Sequence, residues 1–290
     1  MLEKNRVVWR LSILVVILVW FNAGMGLFYS DGGQPRMVES IYGEIVRLFG
    51  DGVYANNSML KATTAKGSDL VMLLVSLGLL AATLKRDAGA KARLLHCGFL
   101  VPILYYSATT AFGVAYSRMF LVYLLLFSAA FFATVAAMID LSRTIQPVNK
   151  DKKFTGTAIF TILAGCTGLV WLMSILPTVF TNAPLDIIEI STTEPTFIID
   201  IGLILPTCVL GGVMLLRKKT LGYILPPIML TFLVIIAVTV IGQTAMQLYY
   251  GVVVSLQQVI GYVGTFVAFG VIAAIINTRF LYQCWPKSKK

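Results

Sequence analysis

Eight stretches of about 20 mostly apolar residues run through this sequence, and a stretch of that length has one ordinary use, which is to cross a bilayer. They read at 7–28, 69–85, 95–116, 119–141, 155–180, 197–216, 221–248 and 257–280. The runs are continuous rather than alternating, so they predict helices and not barrel strands. Only 12% of the residues are charged, about half the share of a soluble domain. The expected fold class is therefore all-α: a polytopic membrane helix bundle with eight transmembrane helices.

Lysine and arginine in short loops set the orientation of such a bundle. With both termini cytoplasmic, the inner segments hold 18 of the 23 basic residues and 4 of the 13 acids. The inner side then carries +14 and the outer side −4. This predicts a multi-pass protein of the cell (inner) membrane. The start, "MLEKNRVVWRLSILVVILVWFNAGMG", also has the basic and apolar parts of a signal peptide, with a poor cleavage site near Ala23. Cleavage there would leave the other seven helices oriented as before. The formal net charge of +10 is split among short loops. There is no folded basic domain and no Gly-rich phosphate loop, so nucleic acid is not an expected partner.

Cys97, Cys166, Cys208 and Cys284 are not spaced as a CxxC pair, and none falls in an outer segment, so no disulfide is expected. His96, at the inner start of the third span, reads as an interfacial residue. One histidine cannot form a bis-His haem site, and no Cys/His/carboxylate cluster has metal spacing. No cofactor or metal is expected. No nucleophile–base–acid set stands out, so the chain does not read as an enzyme.

The largest piece outside the membrane is 29–68. Val38, Ile41, Tyr42, Ile45, Leu48 and Phe49 recur at helical spacing before Gly50-Asp51-Gly52, which predicts an amphipathic helix on the outer surface. It would be a structural or a ligand-gating lid.

Landmarks repeat along the chain in the same order. Trp20 and Trp171 follow Leu-Val in spans one and five. Asp69 and Asp200 lie early in spans two and six, and Pro102 and Pro226-Pro227 lie in spans three and seven. These landmarks predict a 4+4 parallel tandem duplication. Its first half is 1–145, with the outer loop 29–68, and its second half is 146–290.

Asp200 stands some 8 Å inside span six if the helix starts near Pro195. There it is either an interfacial acid bonded to a neighbouring helix or a proton- or cation-binding carboxylate in an outward-facing cavity. Asp69 would be its symmetry mate. Tyr106, Thr109, Thr110 and Gly113 fall on one face of span three, and Thr239, Gln243 and Gln247 on one face of span seven. Such stripes either glue helices together or wet a pathway. The candidate solute- or ion-binding residues are Asp200, Asp69, Gln243, Gln247, Tyr106 and Thr110. Pro102, Pro177, Pro206 and Pro226-Pro227 are expected to interrupt their spans. Ala164 and Gly168, four apart, predict close helix packing. Trp20 and Trp171 read as interfacial anchors.

The stretch "IYGEIVRLFGDGVYANNSMLKATTAKGSDLV", followed by "AFGVAYSRMFLVYLLLFSAAFF", resembles a family of uncharacterised bacterial multi-pass membrane proteins. The matching residues are Tyr42-Gly43, Gly52-Val53-Tyr54, Gly67-Ser68-Asp69 and Ala111 to Tyr116, and Asn56 or Asn57 stands where that family carries an acid. The resemblance covers about half the chain. It implies membrane location and an eight-helix layout, and it lends no site residue.

Two function classes fit. One is a transporter or permease-like protein for a small solute or cation. The other is a non-catalytic sensor, scaffold or subunit with a membrane protein partner. An intramembrane lipid-modifying enzyme fits less well, because the usual His/Asp/Glu clusters are missing. In each case the lipid bilayer is the main surrounding.

Overall fold

The structure, a computed structural model, describes residues 6–86, 89–145, 152–181 and 183–285. Among them, eight helices are long and apolar enough to cross a membrane. They are α1 (Arg6–Phe28), α2 (Met59–Leu84), α3 (Ala90–Gly113), α4 (Phe120–Thr144), α5 (Thr155–Thr181), α6 (Pro195–Leu216), α7 (Thr220–Tyr249) and α8 (Val259–Cys284). The chain is an all-α bundle and an integral, multi-pass membrane protein. Residues 146–151, where the second half would begin, and the flanking charges Glu3, Lys4, Asp87, Lys287, Lys289 and Lys290 lie outside the described residues.

In the first half, α1 packs on α2 and α4, and α3 packs on α2 and α4. In the second, α5 lies against α6, while α6 and α8 lie against α7. α7 also packs on α2 and α3 and so joins the halves. A helix apolar on every side suits that central place. Its approach to α2 needs glycine: a Cβ on Gly67 would sit 2.3 Å from the Gln243 Cα. α5, α6 and α8 turn side chains such as Leu163, Phe180, Leu203 and Ile260 outward, as helices beside lipid do.

Three expectations need correction. The outer segment does not form an amphipathic helix. It is a hairpin of β1 (Arg36–Glu39) and β2 (Ile45–Leu48), paired antiparallel with Met37 opposite Arg47. In β2 the buried residues are Val46 and Leu48 while Ile45 and Arg47 are exposed, a period of two. Gly43 (φ 81°) and Gly50 (φ 85°) take the left-handed backbone that the bends require. The sparse apolar positions of this segment fit a helical spacing as well as an alternating one, and the glycines decide.

The second correction concerns α2, which starts at Met59, not near Asp69. Ser58 caps it, its Oγ accepting from the Lys61 N–H at 3.2 Å. Lysines and threonines in the first turns hide this start from a hydropathy reading, yet Thr63 and Lys66 are buried. The Lys66 ammonium donates to the Gly26 carbonyl at 2.6 Å and lies 5.4 Å from the Phe49 ring centroid. Asp69 therefore sits about 15 Å inside its helix, not at the opening.

The third concerns His96, which is buried between helices and not set on a surface. α3 begins at Ala90, which buries His96 against α1, its Nε2 2.9 Å from Ser12 Oγ.

The prolines interrupt fewer spans than expected. α3 and α7 run on through Pro102 and through Pro226-Pro227. The irregular turns lie elsewhere: a 3-10 turn at Thr167–Trp171 in α5, a π turn at Asp200–Ile204 in α6, and a π turn at Val259–Gly264 opening α8. Only the turn in α6 adjoins a proline. Pro206 offers no N–H, and the wider turn before it accepts that loss.

Candidate functional site

The three irregular turns meet at one cavity of about 550 Å³. Its lining runs from Asn57, Lys61 and Glu194 at the hairpin end of the bundle to Met72, Cys208 and Met229 near the middle of their helices. Below that level α6 and α7 close together, and a Cβ on Gly211 would lie 2.9 Å from the Leu225 Cβ. The cavity is a half-depth pocket between α2, α3, α5, α6, α7 and α8.

Asp200 stands half-buried in its wall. Glu194 and Pro195 start α6, with Glu194 Oε1 accepting from the Thr196 N–H at 3.3 Å. The π turn then begins at Asp200, whose carbonyl accepts from the Leu205 N–H. The Trp171 indole N–H donates to Asp200 Oδ2 at 2.8 Å, and Tyr105 lines the same cavity. Gly168 packs against this turn, and a Cβ there would lie in ordinary contact with the Asp200 carbonyl oxygen at 3.4 Å. Trp171 stacks on Phe197 with centroids 4.6 Å apart and lies 6.0 Å from Tyr262. Tyr105 meets Phe232 edge-on at 5.4 Å.

Among the described residues, Lys61, Glu194 and Asp200 are the charged side chains of the lining. Lys61 is committed to Glu194 at 3.1 Å and donates to Ser191 Oγ at 3.0 Å. Among the described residues, no basic side chain forms a salt bridge with Asp200. The loop before α6 is fastened to α2 through Ser58, whose hydroxyl bonds to Glu189. Burial raises the Glu189 carboxyl above the usual range, against the Ser58 hydrogen bond and the Lys61 charge.

The cavity brings together five of the six candidates: Asp200, Tyr106, Thr110, Gln243 and Gln247 line it. The amides also tie α7 to α2, with Gln243 Nε2 donating to Ser68 Oγ and Gln247 Nε2 to Thr64 Oγ1, each at 2.9 Å. The polar stripes of α3 and α7 thus share one space and bind helices at the same time. Asp69 is outside the lining and fully buried. It accepts from Tyr54 OH at 2.7 Å and from Tyr106 OH, and Asn22 Nδ2 donates to Tyr106 OH at 2.6 Å. Gly26 makes room for it, since a Cβ there would fall 1.9 Å from Asp69 Oδ2. The Tyr106 side chain is the wall between this carboxylate and the cavity.

Trp171, Tyr105 and Tyr262 were not legible as site residues. Trp171 looks like an interfacial anchor, and what makes it a partner of Asp200 is a 3-10 turn that local sequence does not announce. The one usable signal was the small pair Ala164 and Gly168, which marks close helix contact. Trp20 differs as well, since its indole N–H donates to Ser76 Oγ at 2.8 Å. Among the described residues no group of three His, Cys, Asp or Glu side chains is gathered as a metal would need.

Compared with known proteins, the chain matches no family model, no curated protein and no solved structure.

Proposed function

We propose that this is a permease-like membrane protein that admits a small solute or ion from the outer side into the cavity at Asp200. The observation that carries the reading is the cavity itself. It is polar along two facing helices, reaches half the depth of the bundle, and is walled by elements of both halves. Non-helical turns at membrane depth are tolerated where they line such a space, and π turns collect at functional sites. On this reading the hairpin faces outward and both termini face the cytoplasm of a cell (inner) membrane, as the distribution of lysine and arginine supports. Counted from Leu84 and Leu216, Asp69 and Asp200 lie at nearly the same height, about 23 Å at 1.5 Å per residue. That match supports reading 1–145 and 146–290 as tandem halves.

The test replaces the four native cysteines, introduces Asp200→Cys, and treats intact cells with a membrane-impermeant thiol reagent. Rapid labelling is expected, as at an Asn56→Cys control. An unlabelled position 200 beside a labelled position 56 would sink the permease reading.

A second reading is a sensor or scaffold with a protein partner. It is favoured by the hairpin, which holds Met37, Ile41 and Ile45 at 62, 72 and 64% exposure. Water-exposed apolar groups in one small hairpin suit contact with another protein.

A further inference from the structure

We infer that the solute class is a lipophilic organic cation, its positive centre against the Asp200 carboxylate and its apolar groups among Trp171, Phe197, Tyr105 and Tyr262. This inference rests on the permease reading and narrows it.

Charge argues first. A carboxylate inside a membrane bundle is costly without a counter-charge. Lys61, the one basic residue of the lining among the described residues, is already held by Glu194. Asp200 has a neutral donor instead, the Trp171 indole. An ionised carboxylate accepts at about four lone-pair sites, so this bond leaves it able to take a further donor or a cation. Lys61 and Glu194 cancel, and among the described residues the lining keeps one negative charge, at Asp200.

The surroundings argue next for a bulky cation over a bare metal ion. A hard cation takes six or more oxygens at short range. Asp200 is edged by an N–H, a phenol and ring faces. Trp171, Phe197 and Tyr262 form a connected set, with centroid separations of 4.6 and 6.0 Å, and Phe266 extends it 4.9 Å beyond Tyr262. Ring faces attract alkylammonium and related cations, most strongly where water is excluded. A volume of about 550 Å³ lies within the range of pockets for drug-sized molecules. Met229, Phe232 and Leu233 line the deep end and offer an apolar resting place.

The experiment measures binding of tetraphenylphosphonium to the purified full chain in lipid nanodiscs by equilibrium dialysis, with empty nanodiscs subtracted. Tetraphenylborate, of the same shape and opposite charge, is the comparison. Saturable binding of the cation alone is expected. Asp200→Asn should weaken it at least tenfold and Asp200→Glu should restore most of it. Trp171→Leu, which keeps the carboxylate and removes a ring, should weaken it about fivefold and covers the case in which Asp200→Asn does not fold. Equal binding of the anion, or cation binding that ignores both Asp200→Asn and Trp171→Leu, overturns the inference. If the thiol reagent reaches Asp200→Cys and tetraphenylphosphonium still does not bind, the cation class falls and the permease reading stands. If the reagent does not reach position 200, both fall.

Discussion

Asp69 in α2 and Asp200 in α6 lie at closely similar distances from the ends of their helices, yet one is sealed and the other borders a cavity. Asp69 is enclosed because α1 offers Gly26 as a recess and Tyr54 and Tyr106 close over it. Two tyrosine hydroxyls then satisfy the carboxylate. Asp200 is left at an open wall because α5 departs from the α-helix at Thr167–Trp171 and α6 at Asp200–Ile204. Its hydrogen bond comes from the Trp171 indole, whose ring belongs to that wall. Depth in the membrane sets the cost of an acid. The neighbours decide whether that cost is met by the protein or is left for a ligand.

The comparison breaks most easily at the sealed carboxylate. Asp69→Ala leaves the Tyr54 and Tyr106 hydroxyls buried without their acceptor, at about 1–3 kcal/mol each. A loss of about 4 kcal/mol in unfolding free energy in detergent is expected, and wild-type stability in this variant would erase the contrast. Tyr106→Phe removes one donor to Asp69 and the acceptor for Asn22, and should cost about 1.5 kcal/mol in the same assay. The phenyl ring keeps the wall closed, so an Asp69→Cys probe should stay unlabelled with or without this change; labelling in either background would show that the wall is not there. The smallest stability effect belongs to Asp200→Asn, within about 1 kcal/mol of wild type. The amide keeps an oxygen for the Trp171 N–H and borders space, not packed atoms. A loss as large as that of Asp69→Ala would place Asp200 in the core and reverse the comparison.

Much of this architecture could be read directly. The bilayer demands long apolar helices, so eight of them show in the text, and the facing polar stripes on α3 and α7 follow from helical periodicity. Reading failed where partners distant in sequence compensate a local feature. Lys61, Thr63 and Lys66 look like loop residues, but Glu194, helix carbonyls and Gly26 satisfy them inside the bundle. The hairpin was hidden because so few apolar positions fit either period. Trp171 carried no sign of its partner 29 residues away.

The amino-acid sequence alone determined that the chain has eight segments long and apolar enough to cross a membrane, and that the sixth carries an acid, Asp200, within its apolar stretch. Those properties follow from length, hydropathy and spacing, which are local. Only the tertiary structure decided that Asp69 is closed behind Tyr106 and that Asp200 meets Trp171 in an open cavity. Both outcomes depend on which helices touch and where a helix changes its turn, and packing between distant segments settles such matters.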